Sequence, residues 1–160
     1  MIRQYLFGVL LIFTGFNAIS QTNTDVGLKG GLNFTFFNVQ ESNFGENAET
    51  EVSYFAGLFL DFEIDEYFSI QPEVLYIGLS DFKFINAPIY AKYEVARNFD
   101  LMVGPSLNYF FDFFNNKFKV RADICAAYNI TSKLDIHTKY TIGFEEISPN
   151  GIFIGLGYRI

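Results

Sequence analysis

The chain has 160 residues, half of them hydrophobic, with 18 acidic against 11 basic side chains and a net charge of −7 at pH 7. That acidity argues against nucleic acid as a partner and against docking onto anionic lipid from outside. One cysteine, Cys125, leaves no internal disulfide to stabilise the fold, and 21 Phe with 10 Tyr and no Trp is an aromatic load that needs a physical explanation.

Arg3 supplies a positive start, Tyr5 to Phe16 form a short apolar stretch, and Ala18-Ile19-Ser20 offers a small-x-small cleavage pattern before Gln21. Residues 1–20 therefore read as a secretory signal peptide; the apolar run is too short to cross ~30 Å of hydrocarbon as a helix. Residues 21–160 read as one domain of ten basic and eighteen acidic residues, about −8.

From there the period is two, the signature of one face of a β-strand. In the first run Val26, Leu28, Gly30, Leu32, Phe34 and Phe36 alternate with Asp25, Gly27, Lys29, Gly31, Asn33 and Thr35. Asn38 to Glu51 reads as a long loop. The second run has Val52, Tyr54, Ala56, Leu58, Leu60, Phe62 and Ile64 on one face, with Ser53, Gly57, Asp61 and Glu63 on the other. Asp65-Glu66 turns the chain into the third, Phe68, Ile70, Val74 and Tyr76 against Ser69, Gln71 and Glu73.

A short link near Ser80 leads to the fourth run, Ile85, Ala87, Ile89, Ala91 and Tyr93 against Asn86, Lys92 and Glu94. Phe82 and Phe84 have the wrong parity for it, so a face switch or a stretch above the membrane is expected there. Ala96-Arg97-Asn98 turns into the fifth, Phe99, Leu101, Val103, Leu107, Tyr109 and Phe111 against Asp100, Ser106 and Asn108. Beyond Asn115-Asn116 the sixth runs from Phe118 to Ile130, with Lys119, Arg121, Asp123, Cys125, Ala127 and Asn129 on its other face. Thr131-Ser132-Lys133 precedes the seventh, Leu134, Ile136, Tyr140, Ile142 and Phe144 against Asp135, His137, Lys139 and Thr141. Glu145 to Asn150 connects to the last, Ile152, Ile154, Leu156, Tyr158 and Ile160 against Gly151, Gly155, Gly157 and Arg159.

Eight strands, joined alternately by tight turns and longer connections, fit an all-β, antiparallel up-and-down transmembrane barrel with both chain ends on the short-turn side. Volume decides which face looks outward. An eight-stranded barrel has an interior just wide enough for side chains to fill, and the apolar face carries too much bulk for it. Turned outward, that face also accounts for the aromatics: Phe62, Phe68, Tyr93, Phe99, Tyr128 and Tyr158 lie near the short turns, and Phe36, Tyr54, Tyr76, Tyr109, Phe111, Phe118 and Phe144 near the opposite rim. These form two interfacial girdles. A soluble ligand-binding barrel with its apolar face inward is the competing arrangement. Pro72, Pro88 and Pro105 fall inside three consecutive strands, where each removes a ladder hydrogen bond, so bulges are expected.

The pieces Gly27-Leu-Lys-Gly-Gly-Leu-Asn33, Ser69-Ile-Gln-Pro-Glu-Val-Leu-Tyr76, Ala87-Pro-Ile-Tyr-Ala-Lys-Tyr93 and Gly104-Pro105, with the ending Gly155-Leu-Gly-Tyr-Arg-Ile160, resemble strands of the PorT-type outer membrane β-barrel family of Bacteroidetes. The resemblance covers nearly all of residues 21–160. It implies an eight-stranded barrel in the bacterial outer membrane, inserted by the barrel-assembly machinery. Two features depart from the family pattern: the terminal Ile160 in place of an aromatic residue, and the short link near Ser80. Members named for roles in secretion share the barrel with others, so the resemblance does not carry a specific activity.

The inward face holds Asp25, Asp61, Glu63, Glu73, Glu94, Asp100, Asp123 and Asp135 against Lys29, Lys92, Lys119, Arg121, Lys139 and Arg159. Mixed signs in a narrow lumen predict a salt-bridged plug; a narrow solute or ion path is the alternative. His137 is the sole histidine. A barrel hydrolase needs a nucleophile and an orienting carboxylate within reach of it, for which Ser106 and Glu73 are the candidates, but their spacing does not require it and a hydrogen-bonded lumen histidine is expected. Glu41, Glu46, Glu49 and Glu51 with Gly45 read as a solvated acidic loop rather than a calcium site. Cys125 reads as a small core residue, and Asn33-Phe-Thr35 as strand. No catalytic, cofactor-binding or metal residues are assigned. The expected role is non-enzymatic, structural or through loop contacts with envelope or secretion proteins, with outer-membrane lipid as the surrounding partner.

Overall fold

A computed structural model describes residues 24–41, 45–79, 82–111, 117–144 and 150–160. The signal peptide read over residues 1–20 lies outside the described residues, as do Ser80 and Asn115-Asn116. Eight strands follow in chain order: β1 (Thr24–Glu41), β2 (Gly45–Glu63), β3 (Phe68–Leu79), β4 (Phe82–Ala96), β5 (Phe99–Phe110), β6 (Phe118–Asn129), β7 (Leu134–Gly143) and β8 (Asn150–Arg159). Each pairs antiparallel with its neighbours and β1 pairs with β8, closing the barrel.

Apart from the start of β4, the expected parity holds along the strands, and it decides the solvent of each face. Large outward side chains such as Leu58, Ile89 and Val120 are 55–57% exposed, whereas Asp61, Glu73, Asp123 and Lys139 are at most 4% exposed inside. This inverts the water-soluble arrangement and rules out a soluble barrel with an apolar lumen. Between the two aromatic rims the outward strand positions carry no charged side chain.

The turns follow local chemistry. Asp65 Oδ1 accepts from the amides of Tyr67 and Phe68, both at 2.9 Å, closing the β2–β3 turn. Asn98, at φ 66°, takes the left-handed conformation that asparagine tolerates and ends the β4–β5 hairpin beside a register shift between Glu94 and Ala96. Thr131 Oγ1 accepts from the amides of Lys133 and Leu134 in the β6–β7 turn.

Three expectations need correction. The stretch read as a loop from Asn38 to Glu51 is largely strand: β1 runs on to Glu41 and β2 restarts at Gly45, paired in register from Phe37↔Glu49 to Glu41↔Gly45. A hairpin standing in water needs no apolar face, so its sequence loses the alternation while its hydrogen bonds continue. Secondly, β4 does not switch faces. Phe84 keeps the parity of Asn86 and points into the lumen at 1% exposure.

Thirdly, the prolines introduce no bulge. The β2–β3 ladder passes from Phe59↔Glu73 to Phe62↔Ile70 across Pro72. Likewise β3–β4 passes from Pro72↔Ile89 to Leu75↔Asn86 across Pro88, and β4–β5 from Pro88↔Ser106 to Ala91↔Val103 across Pro105. Each proline turns its missing N–H toward the preceding strand and drops two pairings without changing the register. At the last of these gaps the strands draw together: a Cβ on Gly104 would stand 1.9 Å from the Ile89 carbonyl oxygen, so only glycine fits.

Candidate functional site

The inward positions of all eight strands converge on one narrow lumen, and its middle is filled by buried ion pairs. Lys29 on β1 donates to Glu73 on β3, which also accepts from Gln71 Nε2 at 2.7 Å. Asp123 on β6 is fully buried and accepts from Ser106 Oγ at 2.9 Å and Asn86 Nδ2 at 3.3 Å, with Lys139 Nζ 3.6 Å away. Lys139 itself donates to Asn86 Oδ1 at 2.6 Å and stands 3.8 Å from the centre of the Phe153 ring. Arg121 donates to Asn108 Oδ1 at 2.6 Å, and its guanidinium lies 5.3–5.4 Å from the rings of Phe84 and Phe110. Charges held this way have exchanged water for fixed partners, which a cramped interior tolerates only when geometry and hydrogen bonding are good.

Toward the long-loop end the lumen turns apolar. Phe55, Leu75, Ile77, Phe84, Phe110 and Phe153, all at most 3% exposed, form one cluster. Phe84 and Phe110 stack with ring centres 4.8 Å apart, and Phe55 meets Phe153 edge-on at 5.4 Å. A second cluster joins Tyr90, Met102, Cys125 and Ala127, so Cys125 is the buried core residue its neighbours predicted. The sequence reading of a polar inward face passed over these aromatics. They occupy inward positions within doublets and triplets such as Tyr54-Phe55, Leu58-Phe59-Leu60 and Ile152-Phe153-Ile154, where apolar residues on both faces hide the alternation. Summing side-chain volume on the inward parity, and not only on the outward one, is the signal that finds them.

At the short-turn end the lumen opens into a cavity of about 330 Å³. Seven carboxylates line it (Asp25, Asp61, Glu63, Asp65, Glu66, Glu94 and Asp100), against two cations, Lys92 and Arg159. Lys92 donates to Asp61 Oδ2 at 2.5 Å and lies 3.7 Å from Asp100. Arg159 reaches Asn129 Oδ1 at 3.2 Å and the Ser132 carbonyl at 3.3 Å.

His137, Ser106 and Glu73 all face the lumen, but the fold does not assemble them. His137 Nδ1 lies 3.0 Å from Asp135 Oδ1, the Ser106 hydroxyl donates to Asp123, and Glu73 holds Lys29 and Gln71. Among the described residues no group of three His, Cys, Asp or Glu side chains is arranged to hold a metal ion. Asn33 is buried in β1 and accepts through Oδ1 from Thr35 and Ser53. Of the acidic residues expected in the first loop, Glu51 is half-buried on β2; the side chains of Glu41, Glu46 and Glu49 lie outside the described residues.

No protein-family profile matches the chain, and no curated protein does. Solved structures do. The N-terminal β-barrel domain of Pseudomonas aeruginosa OprF is 10% identical, with a TM-score of 0.57 over 88% of this chain and 100% of that one. Ail, the attachment invasion locus protein of Yersinia pestis, in complex with the heparin analogue sucrose octasulfate, is 12% identical, with a TM-score of 0.55 over 86% and 99%. A de novo designed transmembrane β-barrel is 16% identical, at 0.53 over 87% and 95%. The fold is shared with natural outer-membrane barrels and with a designed one, and at such identities the likeness speaks for fold alone.

Proposed function

We propose that this chain is an outer-membrane β-barrel of the PorT-like type, exported by its first twenty residues, with a plugged lumen and a structural or partner-binding role in the cell envelope. The observation that carries this reading is the inverted sidedness of the wall: exposed leucines, isoleucines and valines outside, buried ion pairs inside. Such a surface is costly in water and suited to hydrocarbon, where an outward arginine or lysine at mid-depth would cost ~2–4 kcal/mol. The resemblance of Ser69–Tyr76 and Ala87–Tyr93 to PorT-type strands supports the finer assignment.

The plug favours contact over conduction. Lys29–Glu73, the Asp123 network and the Phe84–Phe110 stack occupy successive parts of the interior. A non-enzymatic role fits the separate partners held by Ser106, Glu73 and His137. The long β1–β2 hairpin, extending beyond the last β1–β8 pair at Phe36↔Asn150, is the element best placed to meet another envelope protein.

Fractionation tests the location: the native protein should sediment with outer membrane and resist carbonate extraction, and release without detergent would overturn the reading. Planar-bilayer recording tests the plug. The purified barrel should give no steady conductance; a stable unitary current would favour the narrow-path alternative.

A further inference from the structure

We propose that the open edge of β2 beyond the barrel wall takes up an extended, basic segment of a protein presented outside the cell, which adds to it as a further strand. Closing a barrel removes every sheet edge from the wall, but the β1–β2 hairpin outruns its neighbours. The β2–β3 ladder ends at Tyr54↔Gly78, while β2 stays paired with β1 as far as Glu41↔Gly45. Residues 45–53 therefore have a strand on one side and, among the described residues, none on the other. The β3–β4 hairpin leaves no such overhang, its ladder running on to Leu79↔Phe82. A strand edge of this kind offers a row of backbone N–H and C=O groups to any chain that can pair with it. The usual devices that blunt an edge are missing: residues 45–53 contain no proline and no lysine, and their register with β1 has no bulge.

The occupant follows from charge. Between Lys29 and Lys83 the chain has no lysine, arginine or histidine, and the hairpin carries Glu41, Glu46 and Glu49. A second copy of this chain would bring the same glutamates to the contact, and like charges set opposite one another across a ladder are destabilising. A strand with lysine or arginine at alternate positions supplies the opposite charge, and those cross-strand pairs fix its register. The backbone edge holds the partner; the acidity selects it. This deepens the partner-binding reading above and rests on it for the compartment, because the longer connections of outer-membrane barrels face the exterior.

Fluorescence anisotropy on the full barrel in uncharged detergent micelles, at low ionic strength so that screening is small, tests the edge apart from membrane location. The probe is a labelled octapeptide of alternating lysine and threonine. Beside it stand a lysine–proline repeat of equal charge, which cannot add a strand, and a glutamate–threonine repeat of opposite charge. The lysine–threonine peptide should bind, and the other two should bind about tenfold more weakly or worse. Glu46→Gln/Glu49→Gln, changed beyond the wall, should weaken binding several-fold, and Glu66→Gln at the opposite mouth should leave it unchanged. No binding of the lysine–threonine peptide, equal binding of either comparison peptide, or equal weakening by Glu66→Gln would overturn the proposal. A dimer in sedimentation that competes with the peptide would do so as well, by giving the edge to a second copy. Carbonate release with peptide binding intact would sink the location and spare the edge; resistance to carbonate without peptide binding would do the reverse.

Discussion

The two ends of the lumen are built from opposite materials. The long-loop half is sealed by Phe55, Leu75, Ile77, Phe84, Phe110 and Phe153, whereas the short-turn end is an open, acidic cavity whose cations are outnumbered. Between them lie the balanced pairs of Lys29, Glu73, Asp123 and Lys139. Charge balance therefore tracks confinement. Where the wall excludes water Lys29 and Lys139 are each set against a carboxylate, and where the mouth admits it negative charge accumulates. The difference teaches that the plug is a stack of layers with distinct chemistry, so each layer should fail differently.

The largest effect should come from removing the seal. The double substitution Phe84→Ala/Phe110→Ala is expected to turn a silent barrel into a conducting one, with cation over anion preference imposed by the acidic mouth; reversal potentials in asymmetric salt read that preference. Next comes the balanced layer. Lys29→Met strands Glu73 in the interior and should cost ~3–5 kcal/mol in urea unfolding from lipid vesicles. Adding Glu73→Leu should restore much of it, because the pair is replaced rather than broken.

A comparison between inside and outside follows. Ile124, mid-strand on β6 and 51% exposed, should cost ~2–4 kcal/mol as Ile124→Arg, and Ile130→Arg at the short-turn rim only ~0–1 kcal/mol. Similar losses at both positions would contradict a membrane-spanning wall. The smallest change is local. Asp65→Ala removes the acceptor for two turn amides and should cost about 1 kcal/mol, with the acidic mouth losing one charge and the seal untouched.

Much of this was legible in the chain itself. Every strand's parity could be read because one face meets a single uniform solvent, so Val120 or Ile154 out and Arg121 or Gly155 in follow from alternation alone. The β1–β2 hairpin was not legible, because beyond the barrel both faces meet water and the pattern vanishes. Nor was the content of the lumen. A small interior selects for volume as well as polarity, so Phe84 and Arg121 pack together there, and single-letter polarity cannot anticipate a guanidinium laid against two rings. The acidic mouth was half legible: Asp25, Asp61, Glu63, Glu94 and Asp100 appeared as inward charges and Asp65-Glu66 as a turn, but their gathering at one end depends on which strands face one another.

The prolines have a consequence for how the cylinder would give way. From Gly27↔Arg159 to Phe36↔Asn150 the β1–β8 closure is uninterrupted, so the place where the chain's two ends meet is firmly zipped. The oblique crease that Pro72, Pro88 and Pro105 draw across β2 to β5 is the line along which backbone amides should exchange with deuterium first. A designer wishing to pry this wall apart should begin at that crease and leave the closing seam alone.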